Sequence, residues 1–152
     1  MGEINRINDQ LRRAFEGTAW HGPSVQELLA DVTAEKAAAR RLPNAHTIWE
    51  IVLHIAAWEK IVRRRLEGEV IENVPDEEDW PPVRETDEQS WQKALEELKR
   101  GHLALREAVS RLDEARLKDT VPGTSYSFYF MLHGVIQHDL YHAGQIGVLK
   151  RA

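Results

Sequence analysis

A chain of 152 residues, 42% hydrophobic and 30% charged, is long enough for one domain with a real core and short for two. Its 20 Lys and Arg stand against 25 Asp and Glu, and the net charge of -5 gives no general attraction to phosphate backbones or anionic lipid, so nucleic acid is not an expected partner. The absence of cysteine excludes disulfides, thiolate ligands and a catalytic thiol of the chain's own; any metal must be held by nitrogen and oxygen, and a reducing cytoplasm is the natural setting.

The opening Met1-Gly2-Glu3-Ile4-Asn5-Arg6 lacks the apolar run of a signal peptide. Residues 3–16 form a short amphipathic pattern with Ile4, Ile7, Leu11 and Phe15 on one side, ending at Gly17. After the loop Trp20-His21-Gly22-Pro23, Ser24 followed by Glu27 has the capping-box spacing and predicts a helix over residues 23–41. Pro43-Asn44 breaks it, and Thr47 with Glu50 opens the next helix, residues 47–66, with Gly68 as its stop. Its core of residues 48–57 is interrupted by Glu50 and His54 and is too short to span a bilayer, so a soluble protein without a membrane partner is expected.

Residues 69–85 are acidic and contain Pro75, Pro81 and Pro82, which predicts a long surface connection of a length that suits a crossover. Glu77-Glu78-Asp79 within it reads as solvated. Thr86 with Gln89 repeats the capping-box spacing before a helix to about residue 111, and residues 113–126 read as a loop around Pro122-Gly123. Four long helices, one long connection and no alternating strand pattern predict an all-α four-helix bundle, one domain over residues 1–152.

The last helix, residues 127–151, carries the chemistry. Met131, Val135, His138, His142, Ile146 and Leu149 fall within about a quarter turn of one another at roughly 100° per residue, so two histidines sit where packing alone favours Leu or Val. Imidazoles four residues apart on one face converge, which is a common way to hold a transition metal. Bundles build such sites between facing helices, and His54, at the edge of the Ile51/Trp58 stripe, is the candidate third ligand. His46, His102 and His133 read as surface residues, whereas His21 lies in a loop that could fold over one end of the bundle. Trp58, Trp91, Phe130 and Tyr141 read as core, and Arg63-Arg64-Arg65 as a solvated run favourable to its helix's negative end.

Trp20-His21-Gly22-Pro23-Ser24, the stretch His46-Thr47-Ile48-Trp49-Glu50-Ile51-Val52-Leu53-His54, and Gln137-His138-Asp139-Leu140-Tyr141-His142-Ala143-Gly144-Gln145 together resemble the DinB/YfiT-like family of metal-binding four-helix-bundle proteins. The resemblance covers nearly the whole chain. It implies His54, His138 and His142 as ligands of one divalent metal, a homodimer, and kinship with thiol-dependent transferases and isomerases that use bacillithiol or mycothiol.

Three neutral imidazoles leave an open metal position for water or an added ligand, and imidazole suits zinc and nickel. Without cysteine, a thiolate at that position must come from a small molecule, so a thiol-dependent transfer is the preferred enzyme reading. A metal-dependent hydrolase with Asp139 or Glu50 as proton acceptor is the runner-up, and a non-catalytic metal-binding or stress-response module is the third. His138-Asp139-Leu140-Tyr141-His142 differs from the H-E-x-x-H of zinc proteases by the shorter Asp139, which reads instead either as orienting a ligand histidine or as exposed. Leu132 and Ile136, away from the histidine stripe, are the positions offered for a dimer contact, with packing inside the bundle as the equal alternative.

Overall fold

A computed structural model describes residues 1–152, and the chain is all helical. Four helices build the bundle: α1 (Glu3–Glu16), α4 (Ile48–Leu66), α6 (Glu88–Arg111) and α7 (Phe128–Leu149). Short helices α2 (Val25–Leu29), α3 (Ala34–Ala38) and α5 (Asp76–Asp79) lie in the connections, with a 3-10 turn at Glu114–Lys118. None of the helices is long and apolar enough to cross a membrane.

Capping fixes where the bundle helices start. At α4 the Thr47 hydroxyl accepts from Glu50 N–H at 3.1 Å while the Glu50 carboxylate accepts from Thr47 N–H at 2.7 Å, so two otherwise orphaned donors are satisfied. Asp87, one residue after the predicted Thr86, caps α6 by accepting from Ser90 N–H, and Ser127 caps α7. Each cap contributes about 1 kcal/mol. Gly17 and Gly68, at φ +102° and +99°, end α1 and α4 in a conformation that costs other residues.

The helix predicted over residues 23–41 is two five-residue helices. Its Ser24/Glu27 capping box forms, but α6 holds a break further on: Trp91 Nε1–H donates to the Val32 carbonyl at 2.7 Å, Ala34 N–H donates to Glu88 at 2.9 Å, and Thr33 caps a new start. These tertiary partners replace the intrahelical bonds that a continuous helix would make. The fourth bundle helix is therefore α1 rather than this segment. α1 and α4 each pack against both α6 and α7.

Two apolar clusters fill the bundle. One contains Phe15, Ile55, Leu98 and Ile146; the other contains Leu11, Val62, Leu105 and Val135. Following each helix from one cluster to the other gives its direction: α4 and α6 run one way, and α1 and α7 run the other. Joining the parallel α4 and α6 requires the chain to return along the 19 residues of α4, about 28 Å of axis at 1.5 Å per residue. The predicted crossover does this, and its path carries it across the middle of the α4/α7 seam.

Several side chains differ from expectation. Trp91 is fully buried, but Phe130 and Tyr141 are 65% and 66% exposed because they fall on the outer face of α7. Leu132 and Ile136 are buried in the second cluster, so they offer no surface for a dimer. Arg65 is 4% exposed, not solvated like Arg63 and Arg64, because it follows Ile61 and Val62 onto the inward face.

Candidate metal centre

His54 on α4 and His138 and His142 on α7 meet at the seam between the two helices, with one ligand atom of each within 4.8 Å of the others. His54 Nε2 and His138 Nε2 are 3.0 Å apart, less than twice the ~2.0–2.1 Å metal–nitrogen bond, so one ion can reach both. Burial lowers the pKa of all three rings below the ordinary histidine value, which keeps them neutral and their lone pairs free at neutral pH.

The far nitrogens decide which lone pairs face inward. His54 Nδ1–H donates to the Asp79 carbonyl at 2.6 Å, and a carbonyl can only accept, so the lone pair of His54 lies on Nε2 toward His138. His142 Nδ1–H donates to Gln145 Oε1 at 2.7 Å, one turn on. His138 Nδ1 is buried without a partner, and Asp139 Oδ1 lies 3.9 Å away. Outer acceptors of this kind set tautomer and ring orientation in metal sites. The donor set fits a divalent cation: three neutral imidazoles, two already locked in the ligating tautomer, whose nearest ring nitrogens repel unless a proton or cation lies between them.

The connection that the sequence suggested was only solvated supplies part of the wall. Trp80 stacks on His54 at 3.7 Å between ring centroids, with His46 on its other face at 3.6 Å. Asp79 gives its carbonyl to His54, and its carboxylate accepts from Trp58 Nε1–H at 2.6 Å. No periodicity marks Asp79 and Trp80 in the sequence, because their placement follows from the crossover path.

Asp139 is fully buried, and it points into the core rather than toward open solvent at the site. There it meets Glu59 of α4 and His102 of α6, both also fully buried, with ligand atoms within 4.8 Å of one another. His102 Nδ1 is 2.9 Å from Glu59 Oε1, and its ring stacks on Phe15. Burial raises Glu59 to about 8, raises Asp139 as well, and lowers His102 to about 4. At neutral pH Glu59 therefore keeps its proton and His102 is a neutral imidazole. The expectation that His102 is a surface residue is wrong. The signal was available: Glu59, His102 and Asp139 each occupy the core position between apolar neighbours, 55 and 62, 98 and 105, 135 and 143.

Glu50 is committed elsewhere. Its carboxylate accepts from Thr47 N–H, from Arg40 at 2.9 Å, and lies 3.3 Å from His46, and these partners hold its pKa below the ordinary value against the opposing effect of burial. His21 is exposed in a groove with Ile136 and Leu140 between α1 and α7 and is not one of the three converging histidines. A cleft of about 240 Å³ does open against the cluster: His138 and Trp58 line one end, and Arg65 and Tyr126 also line it.

Comparison with known proteins agrees with this architecture. Residues 18–146 match the family model described as the DinB superfamily. A crystal structure described as the conserved protein of a locus from Enterococcus faecalis aligns with a TM-score of 0.74 at 16% identity, covering 99% of this chain and 96% of that one. At that identity the likeness concerns the fold alone. No curated protein matches the chain significantly.

Proposed function

The chain belongs to the DinB superfamily, and from that premise we propose that it is a metal-dependent transferase that joins a small-molecule thiol to an electrophilic substrate. The observation that carries this reading is the cleft against His138. A three-histidine cluster sealed by side chains would suit a non-catalytic module, whereas this one adjoins a space in which a small molecule can lie.

His54, His138 and His142 would hold the metal, zinc or nickel by ligand type. A divalent cation so held supplies Lewis acidity and an open position that favours the thiolate form of an added thiol. The protein's own contributions are orientation and exclusion. Asp79 and Gln145 fix the His54 and His142 rings, Trp80 covers one face of His54, and Trp58 forms the wall toward the cleft. The sulfur must come from outside, since the chain has no cysteine.

The hydrolase reading needs a proton acceptor, and both candidates are poorly placed for that work. Glu50 is held by its cap and Arg40, and Asp139 sits behind His138, buried against Glu59 and His102. The test is an assay of metal-loaded protein against a panel of electrophiles, with and without small thiols, using His142→Ala as control. Turnover that requires both metal and thiol is expected. Metal-dependent ester or amide hydrolysis at full rate without thiol would overturn the proposal.

A further inference from the structure

The cleft beside His138 runs along the α4/α7 groove, and its two ends differ chemically. Its walls are apolar, from Val62, Met131 and Val135, with Trp58 at the histidine end and Phe130 toward the rim. At the far end is Arg65, a guanidinium only 4% exposed. Its Nη atoms donate to Tyr126 Oη at 2.6 Å and to the Ile71 carbonyl at 2.7 Å, and its Nε has no partner. Neither acceptor is charged. A buried cation is ordinarily paired, because removing charge from water is costly unless an opposite charge compensates.

Tyr126 connects this charge to the cleft. Its oxygen accepts from Arg65, and its own hydroxyl proton has no acceptor in the protein. A phenol that accepts from a guanidinium is polarised into a stronger donor, and hydrogen bonds to charged groups are roughly twice as strong as neutral ones. The cleft therefore has a cation-backed hydroxyl donor at one end, an apolar middle and the three-histidine cluster at the other.

We propose that this cleft binds a small apolar acid, with its carboxylate on the Tyr126 hydroxyl beneath the Arg65 charge, its hydrocarbon body between α4 and α7, and its reactive end at His138. Trp58 and Arg65 are about 10 Å apart along α4 at 1.5 Å per residue, which matches a ring with a short acid chain. A volume of about 240 Å³ is below the ~300–1,000 Å³ range of typical ligand pockets, which suits a small ligand. The apolar lining also separates this ligand from the polar thiol, so the cleft takes the electrophile. Assigning the reactive end rests on the function proposed above; the acid subsite does not.

Calorimetric titration with 4-phenylbutyrate, its amide and its alcohol tests the assignment in metal-loaded and chelator-treated protein. The acid should bind about tenfold or more tighter than the amide or alcohol, and should keep that preference after metal removal, because its charge is read at Arg65 and Tyr126. Tyr126→Phe, which retains the ring, should remove most of the preference, and Arg65→Met should do the same if it folds. Equal binding of acid and alcohol, no detectable binding of the acid, or a preference unchanged in Tyr126→Phe would overturn the proposal. A preference that disappears with the metal would also overturn it, by placing the carboxylate on the ion instead. Thiol-dependent turnover is not measured, so failure of the transferase reading leaves this result interpretable.

Discussion

Replacing Glu59 by Gln tests the buried polar layer through the pH dependence of stability. Folded Glu59 keeps its proton up to about pH 8, whereas in the unfolded chain it releases that proton above its ordinary value of 4.5. Between those values the unfolded state binds fewer protons, so stability falls as pH rises, by about 1.4 kcal/mol per pH unit for one proton. The buried histidines have lowered pKa values and lose stability only as pH falls below their ordinary 6.5, so they do not contribute between pH 6.5 and 8. Across that window Glu59 alone accounts for about 2 kcal/mol. Gln is neutral at every pH, and its amide can accept from His102 and donate toward Asp139. Urea unfolding at fixed ionic strength with chelator present should show Glu59→Gln close to wild type at pH 6.5 and more stable than wild type by pH 8. Identical slopes in the two proteins would refute the account of this layer.

Two other outcomes follow from single contacts, and a third from the family resemblance. Trp91→Phe leaves the buried Val32 carbonyl without its donor and opens space in the core, and should cost about 2–4 kcal/mol in urea unfolding. Gln145→Ala removes the partner of His142 Nδ1 but leaves all three ligand histidines in place, so metal affinity measured by competition with a chromophoric chelator should fall about 10–100-fold. Sedimentation at micromolar concentration tests the homodimer that the family resemblance implies: a species of twice the 17.5 kDa chain mass is expected, and a 17.5 kDa species alone would remove it.

What could be read from the sequence depended on whether periodicity and position coincide. The stripe from Met131 to Leu149 made His138 and His142 conspicuous, and the Ile51/Trp58 stripe of α4 placed His54 at its edge as the third. The same logic holds for Glu59 and His102, but a single charged or polar residue on a long helix ordinarily means an outer face. Their burial became clear only when three helices placed such residues at one level. Trp80 and Asp79 lie where no repeat exists, and their meeting with His54 follows from the crossover between parallel helices. The break after α2 was hidden for a related reason, since the groups that hold it, Trp91 and Glu88, come from more than 50 residues later in the chain.

Metal stoichiometry in the histidine variants tests the central claim most directly. Equilibrium dialysis of the purified protein against zinc and against nickel, with metal counted by elemental analysis, should give one tightly held equivalent per chain. Folded His54→Ala, His138→Ala and His142→Ala proteins should each lose it, while His21→Ala retains it. A wild-type chain that holds no metal, or three variants that keep the full equivalent, would contradict the assignment of this seam as a metal centre.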